Sequence, residues 1–259
     1  MLCKQLTVVQ RSVVLSLFSV TASYALEIPQ SETFLEEVVI SASRAPTALG
    51  QTPAAVSVVN SQTLDRDKPR TMGDVLNRFS GVYWNDLGNE QHSMGIRQPI
   101  STNAVYQYLE DGIPIRPLGV FNHNSLNELN MSGAEQVEVV KGPSSSLYGS
   151  SAVGGAINLI TAAPSVNPYA SVAVRTDAVS GYRRYDTAFS DTFGDFGVRL
   201  SHYSSRRDNN NWQEYSGGAK DSVTLRADYS FSQKLQMHST LVYSNLDTAM
   251  TGSLFEADY

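Results

Sequence analysis

Five successive segments in the second half of the chain, 169–176, 183–192, 196–206, 222–232 and 235–245, are of strand length, and several alternate cleanly in polarity with a period of two. That period sends neighbouring side chains to opposite faces of a strand. Val198, Leu200, Val223, Leu225 and Tyr229 take one parity, whereas Arg199, Ser201, Arg226 and Asp228 take the other. Each segment is about as long as a tilted strand that crosses a bilayer. The connections alternate as well: Phe193-Gly194-Asp195 and Gln233-Lys234 are tight, while 207–221 is long, polar and rich in Asn. Tight turns on one side and long polar loops on the other are the pattern of a transmembrane β-barrel. A soluble β-sandwich would not require that alternation of connection length. Five strands are fewer than the roughly 8 that close a small barrel, so the barrel reads as truncated.

The opposite end of the chain carries an address. Lys4 and Arg11 supply positive charge ahead of an apolar stretch at 13–20, and Ser23-Tyr24-Ala25 is a small-x-small cleavage site, so 1–25 reads as a secretory signal peptide. The sole cysteine, Cys3, falls inside it. An exported chain without cysteine has no disulfide scaffold, no Cys-ligated zinc and no thiol nucleophile. With no later apolar run near 18 residues, any membrane insertion uses strands. A net charge of -6 offers no basic footprint for nucleic acid.

Between these ends the pattern is that of a small mixed domain. Residues 26–47 form a flexible leader containing the β-branched run Glu37-Val38-Val39-Ile40-Ser41-Ala42. That run suits either a first strand of the domain or a peptide that adds itself to a partner's sheet edge. A strand is expected at 55–59. A short helix is expected over 71–79, capped by Thr71 with Asp74 three residues on and stopped by Gly81. Residues 105–115 read as a hairpin around Asp111-Gly112, with Pro114 placing the second arm at an edge. Strands follow at 136–141 and 156–161, and the domain ends near 165, beyond which eight of the thirteen tyrosines lie.

Catalytic patterns are poor. The glycines at 149, 154 and 155 lack the Gly-Lys-Ser/Thr ending of a phosphate loop. Ser144-Ser145-Ser146 is not a nucleophile elbow, although a secreted hydrolase using Ser146 is a third reading. The four histidines lack ligand spacing.

The run Val137-Glu138-Val139-Val140-Lys141-Gly142-Pro143, continuing through Tyr148-Gly149 and Gly154-Gly155-Ala156-Ile157-Asn158 to Thr161, resembles the plug signature of TonB-dependent outer-membrane receptors. Asp74-Val75-Leu76, Ser80-Gly81-Val82, Gly95-Ile96-Arg97 and Glu110-Asp111-Gly112-Ile113-Pro114 are similar to its other plug motifs, in order, although Gln98 stands where glycine usually follows the arginine. Residues 37–42 resemble the TonB box. The resemblance implies an α+β plug domain (48–165), a small mixed sheet with short helices, followed from 166 by the first antiparallel strands of a barrel of about 22 strands. It implies no enzyme and no cofactor. It implies an outer-membrane location with leader and plug open to the periplasm, lipid around the barrel, and TonB as the energising partner. The implied cargo is a ferric siderophore, with cobalamin, haem and oligosaccharide as alternatives. A ligand then releases the box for TonB to pair with. Ligand contacts are expected at the plug apices, at Gln98, Ser101 and Asn103 and at Arg116, Phe121 and Asn122. A plug-only periplasmic module that binds TonB without transport is the competing reading.

Overall fold

The computed structural model describes residues 37–67, 69–88, 91–100, 105–115, 129–208 and 216–249. The signal-peptide reading, the first half of the leader (26–36), and residues 89–90, 101–104, 116–128 and 209–215 lie outside them.

The plug sheet has five strands in the order β3-β8-β9-β6-β7. They are β3 (Val56–Asn60), β6 (Gln107–Glu110), β7 (Ile113–Ile115), β8 (Ala134–Lys141) and β9 (Gly155–Thr161). Pairing is antiparallel except for β6 with β9, so the sheet is mixed, as the resemblance implies. Pro114, which lacks an N–H, sits in the edge strand β7. Asp111 and Gly112 join β6 to β7 with φ of 51° and 77°, the left-handed pair that a tight hairpin turn demands.

Alternation along these strands gives the sheet two unlike faces. Val137, Val139, Ile157, Leu159 and Tyr108 point into the main core with Leu76, Met94 and Ile96. Two short helices cover that side: α1 (Ser61–Asp67) and α2 (Met72–Leu76). The Asp74 carboxylate accepts from the backbone N–H groups of Arg70 (2.8 Å) and Thr71 (3.2 Å), which satisfies donors that a helix start leaves orphaned. The helix α1 is preceded by Asn60, whose Oδ1 accepts from Thr63 N–H at 3.1 Å, an N-cap signal present in the sequence but passed over. The two-stranded sheet of β4 (Val82–Gly88) and β5 (Gln91–Ile96) was also not anticipated.

The opposite face carries Glu138, Asn158, Leu109 and Ala156, and a four-residue helix α3 (Ser145–Tyr148) lies over it. A second pair of very short strands, β1 (Val38–Val39) and β2 (Thr47–Ala48), completes this side.

Beyond the plug, β10 (Tyr169–Asp177), β11 (Tyr182–Phe193), β12 (Phe196–Arg207), β13 (Gly218–Ser232) and β14 (Leu235–Thr248) form one antiparallel meander. The register lines up Ala170, Phe189, Leu200, Leu225 and Leu241 in one row across all five strands. These side chains face away from the plug: Leu241 is 68% exposed, and Val172, of the same parity as Ala170, is 78% exposed. The other parity faces the plug and is hydroxyl-rich, with Ser190, Ser201, Ser222 and Thr224 buried. Small hydroxyls let the plug approach closely. Asn130 Nδ2 donates to Ser201 O (3.2 Å) and Thr224 Oγ1 (3.0 Å), and Arg184 donates to Pro69 O (3.3 Å). At the link into β10, Ser165 N–H donates to Ser190 Oγ (2.8 Å), and Thr192 Oγ1 donates to Ser165 O (2.8 Å). A gap of about 730 Å³ remains between the plug and the inner face of the strands β10 to β12.

Candidate functional site

The segment 37–42 is docked on the polar face of the plug sheet. Val39 and Ser41 are fully buried, whereas Val38 is 46% exposed. The carboxylate of Glu138, itself buried, accepts from Ile40 N–H at 3.0 and 3.1 Å and from Ser41 N–H at 2.7 Å. Gln136 donates its amide to the same carboxylate and to Val38 O at 3.2 Å. Tyr148 donates its hydroxyl to Ser41 O at 2.8 Å. Burial pushes the Tyr148 phenol up from its ordinary pKa, so it stays a donor. Asn158 Nδ2 donates to Ser41 Oγ at 2.8 Å.

Both backbone edges of the segment are therefore engaged. One edge pairs with Thr47–Ala48, with Leu49 N–H closing on Glu37 O at 2.7 Å. The other meets side chains of the plug. A chain reversal follows, with Arg44 N–H donating to Ile40 O at 2.8 Å and Arg44 at φ 59°. The Arg44 guanidinium lies 5.2 Å from the Tyr148 ring centroid, within cation–π range. Apart from Val39, the anchoring is polar. Hydrogen bonds to an ionised group are the strong kind, yet water can replace them when the segment leaves, which an apolar seal would not permit as cheaply.

The two readings of this segment were an ordinary strand or a free peptide. The structure places it as a two-residue strand on a short hairpin, held from above the sheet and not inserted into it.

The other motif residues form the scaffold beneath. Arg97, at φ 53°, takes the left-handed turn, its N–H donating to Gly81 O (2.7 Å) and its guanidinium to Lys141 O (3.1 Å). Lys141 Nζ donates to Ser57 Oγ at 2.7 Å; burial, then the nearby Arg97 charge, hold its pKa below the usual lysine value. Gly142 N–H donates to Gly154 O (2.9 Å), and Pro143 leads exposed into the Ser144 to Tyr148 turn that Gly149 ends. At Gly155, φ is 157°, and a Cβ would lie 2.2 Å from Val140 O. Asp111 accepts from Thr161 N–H (2.8 Å) and Oγ1 (2.5 Å).

Of the expected ligand contacts, only Gln98 is described. It is half-buried with its amide beside Gly154, where an added Cβ would meet Gln98 Nε2 at 3.2 Å. Ser101, Asn103, Arg116, Phe121 and Asn122 lie outside the described residues. Ser146 is exposed on α3. No group of three metal-ligating side chains occurs among the described residues.

Gln136 and Asn158 were absent from the expected site. Their signal was in the pattern: Glu138 and Asn158 are polar residues each flanked by apolar ones in adjacent strands, opposite each other in register. A buried polar pair needs a partner, and the partner is Ser41.

Residues 48–156 match the model of the TonB-dependent receptor plug domain. A vitamin B12 transporter of Vibrio vulnificus is 32% identical over 139 residues, covering 53% of this chain and 22% of that protein. The ferripyoverdine receptor of the Pseudomonas aeruginosa outer membrane superposes with a TM-score of 0.70 at 18% identity, over 81% of this chain and 27% of that one. The unliganded ferric citrate transporter gives 0.64 at 24% identity, over 80% and 33% respectively. The chain thus spans a third or less of the length of each relative.

Proposed function

We propose a function from one premise: this chain carries a TonB-dependent receptor plug domain at residues 48–156, followed by barrel-like strands. The family is one of outer-membrane transporters, not of enzymes. The chain serves active uptake of a scarce ligand across the outer membrane, with the plug gating the barrel and TonB supplying the pull through Glu37 to Ala42. The observation that carries this is the docking of that segment. It has β-branched residues for strand pairing and a polar seat formed by Glu138, Gln136, Tyr148 and Asn158. Because both of its edges are engaged at the plug, pairing with an incoming strand requires that it leave the seat. A partner then pulls on a segment connected directly to the plug.

The test is a titration of TonB's C-terminal domain against the full chain and against a Val39→Pro variant. Binding that saturates with the parent and weakens with the variant is the expected result. Equal binding by both would remove 37–42 from the partner site.

The cargo on this reading is a ferric siderophore; the two structural relatives are named for the ferric ligands ferripyoverdine and ferric citrate. Cobalamin is the second reading, favoured by the identity with a vitamin B12 transporter over 139 residues. Uptake of radio-iron on a siderophore against uptake of labelled cobalamin, in cells lacking the native gene, separates the two.

A further inference from the structure

A short series of hydrogen bonds runs from the strand wall to the docked segment through one turn of the plug. On the wall, Arg226 of β13 donates to Thr161 O at 2.6 Å and to its Oγ1 at 3.2 Å. Thr240 of β14 donates to Asp111 Oδ2 at 3.4 Å. Thr161 donates from its backbone N–H and its hydroxyl to the two Asp111 oxygens, at 2.8 and 2.5 Å. The next residue in the turn, Gly112, donates its N–H to Asn158 Oδ1 at 3.0 Å. Asn158 Nδ2 then donates to Ser41 Oγ at 2.8 Å.

The two halves of this series meet in a single rigid piece. Asp111 and Gly112 are consecutive, both at positive φ, and Asp111 N–H is fixed to Leu159 O at 2.9 Å. The side chain of the turn is held by the wall side, and its backbone N–H holds the segment side. A backbone N–H can only donate, so Gly112 forces the oxygen of the Asn158 amide toward itself and the nitrogen toward Ser41. Without that donor the amide is free to rotate away from the segment. A tilt of the turn therefore changes the anchoring of Ser41 although nothing in the turn touches it.

We infer that the Asp111–Gly112 turn is a junction through which the wall of strands governs how firmly segment 38–41 is docked. The inference rests on the reading of that segment as the partner-binding element. Asp111 is a positioning residue: it acts on Ser41 through Gly112 and Asn158.

The test uses the full chain folded in phosphatidylcholine vesicles, with a spin label on Ala42→Cys in a Cys3→Ser background. The readout is the fraction of label in the mobile state. Asp111→Asn keeps the shape and removes the charge, and it should raise that fraction roughly threefold to tenfold, within the range of couplings carried through packed networks. Thr240→Val, on the wall, should move it in the same direction. Asn158→Ala should raise it directly, and adding Asp111→Asn to it should then raise it no further. Amide-exchange protection of Val137 and Val139 in the core should stay at the parent level throughout. An Asp111→Asn variant with the parent's mobile fraction would overturn the junction. So would additive effects in the double variant, or a rise accompanied by lost protection at Val137 and Val139. Failure of TonB's C-terminal domain to bind while label mobility still responds would instead sink the partner reading and leave the junction standing.

Discussion

Glu138 accepts the backbone N–H of Ser41 at 2.7 Å across 97 residues of sequence, with both residues fully buried. A carboxylate with no exposure must be supplied with donors, and the segment 38–41 supplies two. The docked segment is thus part of what makes the plug's polar face tolerable. Replacing Glu138 by Gln keeps the volume and weakens the charge-assisted bonds, each worth about 1.5–3 kcal/mol. A larger share of molecules then holds the segment free, and apparent affinity rises with the competent fraction. The expected outcome for Glu138→Gln is roughly tenfold tighter binding of TonB's C-terminal domain by calorimetry. Unchanged or weaker binding would mean that Glu138 does not restrain the segment.

Val39→Pro tests the other side of the same equilibrium. Proline removes one backbone donor and fixes φ near -65°. A strand-adding peptide relies on its main-chain bonds for affinity, so the variant should bind about tenfold less tightly, the equivalent of about 1.4 kcal/mol. The plug's thermal unfolding should change little, because Val39 lies on the short hairpin and not in the five-stranded sheet. A cooperative loss of the plug would show that the segment is a structural strand.

Glu110 gives the plug a pH dependence of definite sign. Burial, then the neighbouring Asp111 charge, push its pKa up to about 7, and its Oε1 is buried without a partner among the described residues. An unfolded chain ionises this group near its ordinary value of 4.5. Between these two values the folded state holds the extra proton, so stability is greatest below about pH 4.5 and falls as pH rises through about 7. Glu110→Gln should remove that slope. The variant should exceed the parent by on the order of 2 kcal/mol at pH 8, discounted for partial solvent access, and match it near pH 4.5. Denaturant melts at the two pH values measure both.

Gly155 is where the plug motif is least tolerant. Its φ of 157° and the 2.2 Å approach of Val140 O to an added Cβ leave no room for a side chain between β8 and β9. Gly155→Ala should cost about 3 kcal/mol or more, through a backbone shift in the central pair of the sheet. Chemical denaturation of the isolated variant against its parent checks this, and a loss under about 1 kcal/mol would mean that the two strands separate easily.

What the sequence disclosed follows from how local each signal is. The strands β10 to β14 were legible because a period of two is written in adjacent residues and a row such as Ala170 to Leu241 needs only the register to confirm it. The Asp111-Gly112 turn was legible because two consecutive positive φ values favour those residue types. The hairpin of β4 and β5 was not, since Asp86 interrupts the row of Val82 and Trp84 while Tyr83 and Leu87 put apolar side chains on the exposed parity. The seat of 38–41 was half legible. Its β-branched segment and the polar interruptions Glu138 and Asn158 are visible one by one, but their meeting depends on contacts 97 to 117 residues apart that no local pattern encodes.

The outward row of the wall is the part of the fold that meets lipid on the proposed reading, and depth gives it a graded test. Leu225 lies mid-strand in the row with Leu200 and Leu241, whereas Leu235 opens β14 beside the tight turn at Gln233-Lys234. An arginine at the bilayer midplane of a barrel costs about 2–4 kcal/mol and one near the interface about 0–1 kcal/mol. Leu225→Arg should therefore lower the yield of membrane-inserted chain sharply, and Leu235→Arg only slightly, when each is refolded into vesicles and scored by protease protection. A soluble sheet would tolerate both, because a charge at exposed positions such as Leu225, 36% accessible, and Leu235, 59% accessible, would cost little there. Equal yields for both variants would place this face in water.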